Sequence, residues 1–166
     1  MVLFLPLLPQ FCLPPMKAVI QRVSSASVHV DNREVSAIQK GYLILLGVSH
    51  EDDARDRDTL AAKIAKLRVF ADEAGKMNLS ITDVGGSILL VSQFTLCADA
   101  RRGNRPAFTS AMAPQAACAM YQSFGQALSQ LGIPVAYGEF GAMMNVSLVN
   151  DGPVTIILET RQGTLL

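Results

Sequence analysis

The chain has 166 residues, half of them hydrophobic, which is enough apolar material for one domain with a real core. Its formal net charge is zero, which excludes a global basic field, so any nucleic-acid contact must come from a local patch. Cys12, Cys97 and Cys118 are odd in number and lack metal-ligand or disulfide spacing, which excludes a disulfide scaffold and suits a reducing compartment.

Met1 to Pro15 is apolar, but Pro6, Pro9, Pro14 and Pro15 break any helix, and no Lys or Arg precedes the apolar run. Such a stretch makes a poor signal peptide and is too short to span a membrane. Residues 1–15 read as a disordered N-terminal extension, with a divergent targeting segment as the alternative. Residues 16–160 then form the domain and 161–166 a C-terminal tail.

Val19, Gln21 and Val23 alternate with Ala18, Ile20 and Arg22, as in a strand with two unlike faces. Ala26, Val28 and Val30 alternate with Ser27 and His29 and predict a second, half-buried strand. Asp31-Asn32-Arg33 supplies a turn, and Glu34 to Gln39 returns as a third. Tyr42 to Val48 is continuously apolar and reads as a central strand. The period then changes. Asp52 and Asp53 suit a helix start, and Leu60, Ile64 and Leu67 follow at helical spacing. Ser87 to Val91 is again a buried-type strand. A second helix is expected from Pro114 to Leu131, with Ala117, Tyr121, Phe124, Leu128 and Leu131 as its apolar stripe. Val135 to Phe140, Met144 to Val149 and Val154 to Glu159 read as three closing strands. This order predicts a single α/β domain in which a mixed or antiparallel sheet curls into a barrel-like core against two main helices.

Two segments break local rules. Ser92-Gln93-Phe94-Thr95-Leu96 places polar residues at the end of an apolar strand. Asn150-Asp151-Gly152-Pro153-Val154-Thr155 puts Gly-Pro between two others, where proline removes a ladder donor. Breaks of this kind are expected at functional sites. The familiar catalytic kits are missing: neither His29 nor His50 lies near a nucleophile motif, and there is no Gly-x-Ser-x-Gly elbow, phosphate loop or dinucleotide fingerprint. No cofactor and no metal is expected.

The two segments, flanked by Lys17 to Val23 and by Gly75-Lys76-Met77-Asn78-Leu79, resemble the signature pair of the D-aminoacyl-tRNA deacylases. These are the Ser-Gln-x-Thr-Leu motif and the Gly-cisPro motif. The resemblance runs from Met16 to about Glu159, and members of that family usually begin at the equivalent of Met16. It implies a cytoplasmic homodimeric hydrolase that cleaves the ester of D-aminoacyl-tRNA, and of mischarged glycyl-tRNA, without membrane attachment. Ser92, Gln93, Phe94 and Thr95 are the implied catalytic segment. Leu96, Met144, Asn150, Gly152, Pro153 and Thr155 are the implied substrate-binding and chiral-selection residues. The resemblance also implies a cis Gly152-Pro153 bond that enters the other subunit's site and excludes L-aminoacyl groups by clash.

An aminoacyl ester is already activated, so its hydrolysis needs a positioned water and a stabilised oxyanion more than a strong nucleophile. Backbone N–H groups near Phe94 and Thr95 fit that need, and the resemblance implies assistance from the tRNA 2′-hydroxyl. Thr95 as a direct nucleophile is the competing idea, chemically awkward with no base beside it. Arg101, Arg102 and Arg105 form a candidate phosphate clamp for the acceptor strand, which Lys63, Lys66 and Arg68 would extend. A nucleic-acid-binding module without catalysis is the rival reading, and a general esterase ranks last.

Overall fold

β1 (Met16–Val30) is one strand of 15 residues, where the alternation predicts two. It is continuous because a single partner, β8 (Asn145–Arg161), pairs with both halves. Register shifts around Val23 bend β1 and change which side chains face inward. Ala18 and Ile20 enter one core, while Val23, Ala26 and Val28 enter a second. The computed structural model describes residues 14–166, so the reading of 1–15 as a disordered extension lies, but for Pro14 and Pro15, outside the described residues, and Cys12 with it.

β2 (Arg33–Ile38) and β3 (Gly41–Gly47) share the edge of β1 opposite β8. Asp31 and Asn32 make the β1–β2 turn with positive φ, a conformation short polar side chains tolerate. The apolar run of β3 is buried on both faces, as a central strand requires: Tyr42, Ile44 and Leu46 face the first core and Leu43 the second. α1 (Ala54–Lys66) starts at Asp53, whose side chain accepts from the Arg55 N–H in a capping box closed by Asp56. Leu60, Ala61 and Ile64 form its buried stripe. β4 (Phe70–Ala71) and β5 (Met77–Leu79) make a small separate hairpin. β6 (Ser87–Ser92) pairs parallel with β3, and β7 (Val135–Tyr137) pairs parallel with β6.

The main sheet therefore runs β7-β6-β3-β1-β8, followed by β9 (Thr164–Leu165), with β2 alongside β1. It is mixed and strongly curled, and the Ser36 hydroxyl of β2 donates to the Tyr137 carbonyl of β7 at 2.7 Å. No ladder joins those two strands among the described residues, so the barrel does not close. α2 (Pro114–Gln130) packs Tyr121, Phe124 and Leu128 inward. Leu131, expected on the same stripe, is 45% exposed because the helix has ended and it caps the terminus.

Two expectations at the C-terminal end change. The strands around Gly152-Pro153 are one strand, β8, because pairing to β1 resumes on both sides of the dipeptide. Residues 161–166 are not a tail: β9 pairs back onto Thr160 and Arg161, and Gly163 is held against α1 by its N–H to Asp56 Oδ1 and by the Thr59 hydroxyl, each at 2.9 Å. Among the described residues the second edge of β8 has a partner only at those two residues, and Val149 and Ile157 stand exposed along the strand.

Candidate active site

β3 and β6 are parallel and in register from Gly41 opposite Ser87 to Leu46 opposite Ser92, so their carboxyl ends lie side by side. Ligands bind at such ends in parallel sheets, where the loops diverge. The Gln93 N–H makes one further bond, to the Leu46 carbonyl at 2.8 Å, and the chain then tightens into a single 3₁₀ turn, Phe94–Cys97. Within the turn the Leu96 N–H bonds to Gln93 O and the Ala98 N–H to Thr95 O. The N–H groups of Phe94 and Thr95 open the turn and have no acceptor in its ladder.

A cavity of about 780 Å³ adjoins this turn. Ser92, Gln93, Phe94 and Thr95 form one wall, Met112 to Pro114 and Tyr121 another, and Phe140 to Met144 a third. The Phe94 ring stands edge-on to Phe108, centroids 5.0 Å apart, in an arrangement favoured by the ring quadrupoles. The Gln93 side-chain amide donates to the Thr95 hydroxyl oxygen. No carboxylate or imidazole hydrogen-bonds Thr95 among the described residues, so the base that a threonine nucleophile requires is not in place.

Gly47 and Ser110 hold the turn from outside it. A Cβ added to Gly47 would lie 2.7 Å from Leu96 Cβ and 3.2 Å from the Gln93 carbonyl oxygen, so glycine is what lets the turn sit down on β3. Leu96, expected as substrate-binding, is not in the cavity wall; it is packed against Gly47. Cys97 is buried, its thiol pushed up in pKa by desolvation, and its carbonyl accepts from the Ser110 hydroxyl at 2.9 Å. Met144, by contrast, lines the cavity as expected.

Asn150, Gly152, Pro153 and Thr155 are brought together, but not at this chain's own cavity. Opposite β1, Asn150 pairs with Val23 and Thr155 with Gln21, so 151–154 bulge out against Arg22 alone. Asn150 staples the bulge: its Oδ1 accepts from the Val154 N–H at 2.8 Å and its Nδ2 donates to the Thr155 hydroxyl at 3.1 Å. Gly152 has φ +151, and a Cβ there would meet Val154 N at 2.7 Å. The Gly152-Pro153 peptide is cis. Arg22 holds the bulge from beneath, its Nε donating to the Asp151 carbonyl at 2.8 Å and its Nη1 to the Val69 carbonyl.

A chain that lacks a nucleophile elbow, yet carries this turn and this bulge, is matched over residues 19–159 by the family profile described as D-Tyr-tRNA(Tyr) deacylase. The chain belongs to that deacylase family. A D-aminoacyl-tRNA deacylase from Chloroflexus aurantiacus is 56% identical over 147 residues, covering 89% of this chain and 92% of its own. The one from Bacillus pumilus is 54% identical and is matched along 100% of its length. A solved structure named c-Myc DNA Unwinding Element Binding Protein is 45% identical, with a TM-score of 0.82, and covers 88% of this chain and 99% of that one.

Against this deacylase frame the basic cluster is reduced. Arg101 is bound in a fork to Asp99, at 2.9 and 2.6 Å, and that guanidinium holds the Asp99 carboxyl well below its usual range. Arg102 and Arg105 are exposed, with no acidic partner within 4.0 Å among the described residues. Arg68 is engaged by Asn78 through its Nε and Nη2. Sequence reasoning missed Gly47 and Arg22. The signals for them were a glycine ending an apolar strand and a lone arginine inside one.

Proposed function

We propose that this hydrolase cleaves the ester of D-aminoacyl-tRNA in the cavity beside Ser92 to Thr95, and that the adjoining backbone carries the reaction. The family match supports the activity. The single observation that carries the site is the pair of N–H groups of Phe94 and Thr95, without an acceptor among the described residues, opening a turn at the cavity wall. Two such donors stabilise the oxyanion of the tetrahedral intermediate, a contribution of about 3–4 kcal/mol for a single donor in other acyl-transfer sites. The attacking water is oriented by the substrate's own 2′-hydroxyl, since no carboxylate or imidazole hydrogen-bonds Thr95 among the described residues. Phe94 and Phe108 supply an aromatic platform for the terminal base.

Chirality is screened by exclusion. The Asp151–Val154 bulge lies away from its own cavity, on a strand with an open edge and exposed Val149 and Ile157. Two-fold pairing of two chains lets each bulge reach the other's cavity, so the active form is a homodimer. Backbone carbonyls there clash with an L side chain and leave D side chains and glycine unhindered. Arg102 and Arg105 meet the acceptor-strand phosphates. Mischarged tRNA is the substrate, which locates the enzyme in the cytoplasm, and none of the described helices is long and apolar enough to cross a membrane.

Paired D- and L-tyrosyl-tRNA deacylation by the purified protein tests the proposal, with Arg22→Ala in parallel. Rapid loss of the D ester alone, with weakened discrimination in the variant, supports it. Binding of tRNA or DNA without cleavage of either ester refutes it.

A further inference from the structure

Gly138 follows β7 and does not itself line the large cavity. Its N–H donates to the Leu90 carbonyl at 2.9 Å, and the buried Tyr121 hydroxyl donates to the same oxygen at 2.7 Å. The residue before it is pinned from two further sides. Tyr137 pairs with Leu90 of β6, and its carbonyl accepts from the Ser36 hydroxyl of β2 at 2.7 Å. The chain then loops through Glu139 to Met143, closed by the Ala142 N–H on the Glu139 carbonyl at 3.2 Å and tied to β2 by Glu139 with Arg33 at 3.1 Å. It returns so that the Met144 thioether lies over the bare α-carbon of Gly138. A Cβ built on Gly138 would be 2.9 Å from Met144 Sδ and 3.6 Å from Val91 Cγ2. The φ of Gly138 is not positive, so its backbone conformation does not demand glycine; the space above it does. Met144 packs on the second core, which includes Leu89 and Val91, and also lines the cavity.

We propose that Gly138 is a positioning residue for the substrate: it is the seat that keeps the Met144 side chain out of the cavity, and so sets the room left for the aminoacyl-nucleoside end of the tRNA. This role presupposes the deacylase reading of the cavity. A side chain at 138 would compete with the sulfur for one position. The backbone there cannot retreat, because the Leu90 carbonyl and the Ser36 hydroxyl hold it on both sides. The thioether is the free end of an unbranched, flexible side chain, so it is the part that yields. The core behind it is close-packed, and the sulfur moves by roughly 1 Å toward its open side, into the cavity.

Steady-state cleavage of D-tyrosyl-tRNA by Gly138→Ala, alone and combined with Met144→Ala, tests the proposal, with NMR spectra of labelled methionine methyl groups recorded on the same proteins. Gly138→Ala raises KM by ~10-fold, the discrimination that one methylene makes in an apolar pocket, while kcat changes less because the Phe94 and Thr95 N–H groups stay in place. The Met144 methyl resonance, assigned by its loss in Met144→Leu, shifts. The melting temperature stays within ~4 °C of the wild type, since only a flexible chain end is displaced. In the Met144→Ala background the same glycine substitution leaves KM where Met144→Ala alone puts it, because the displaced atom is gone. An equal rise in KM in both backgrounds, an unchanged KM in Gly138→Ala, or an unmoved Met144 methyl overturns the proposal. If Gly138→Ala fails to fold, the double variant regains the fold when Met144 is the obstruction; a double variant that also fails overturns the proposal. A wild-type protein that cleaves neither D- nor L-tyrosyl-tRNA sinks the deacylase reading instead, and the methyl spectra still decide whether Gly138 seats Met144.

Discussion

Substituting Gly47 by alanine tests whether catalysis depends on how closely the Phe94–Cys97 turn approaches β3. The new Cβ would lie 2.7 Å from Leu96 Cβ. Ordinary carbon–carbon contact is ~3.7 Å, so the turn has to retreat by roughly 1 Å. The obstructing atom is the root of a side chain, next to the backbone, and cannot swing aside. Overpacking of this kind costs about 1–3 kcal/mol. For a chain of this size that lowers the melting temperature by ~2–12 °C. Typical stabilities exceed that cost, so the variant stays folded at 25 °C. The Phe94 and Thr95 N–H groups move with the turn, and a displacement of about 1 Å in catalytic groups can remove ~10²-fold of rate. Single-turnover deacylation of D-tyrosyl-tRNA, run beside a melting curve, reads both effects. Leu96→Gly in the same chain removes the obstructing atom and restores much of the rate, a coupling expected only if the two positions meet. A melting temperature lowered with wild-type turnover would refute the link between turn position and catalysis.

Arg22→Ala removes the donor to the Asp151 carbonyl, a charge-assisted bond worth about 1.5–3 kcal/mol, and the ratio of D- to L-tyrosyl-tRNA cleavage falls while D-ester turnover changes less. Thr95→Ala retains D-ester turnover within ~10-fold, because its hydroxyl only accepts from Gln93; capture of a covalent Thr95 ester would overturn this. Tyr121→Phe deletes the buried bond to the Leu90 carbonyl at 2.7 Å and destabilises by about 1–2 kcal/mol, measured by urea unfolding. Replacing Arg102 and Arg105 together by alanine lowers the slope of log affinity for tRNA against log salt by roughly 1.4, whereas Arg101→Ala leaves it nearly unchanged because Asp99 already neutralises that side chain.

Much of the fold was legible because its signals are local. The α1 start at Asp53, the stripe Leu60 and Ile64, and the proline opening α2 depend on residues within one or two turns. The central place of β3 followed from an unbroken apolar run. Strand boundaries failed where a distant partner decides them. β1 and β8 each read as two strands, and each is one, since each continues to pair with the other across its irregularity. Residues 161–166 looked like a tail because two residues of β9 carry no periodicity, and only Gly163 against Asp56 reveals the hairpin.

For the candidate site, the sequence by itself determined the chemistry on offer: a turn of small polar residues after a buried strand, a Gly-Pro break, and no nucleophile with a base beside it. Those are properties of residue type and order. Only the tertiary structure decided which of these groups share a cavity. It put Met144 beside Ser92 to Thr95, turned Leu96 toward Gly47, and set Asn150 to Thr155 on a bulge away from the same chain's cavity. It also found Arg22 beneath that bulge, 129 residues from Asp151. The reason is physical. Spacing along a chain fixes which face a side chain takes, but sheet register and curl fix what that face meets.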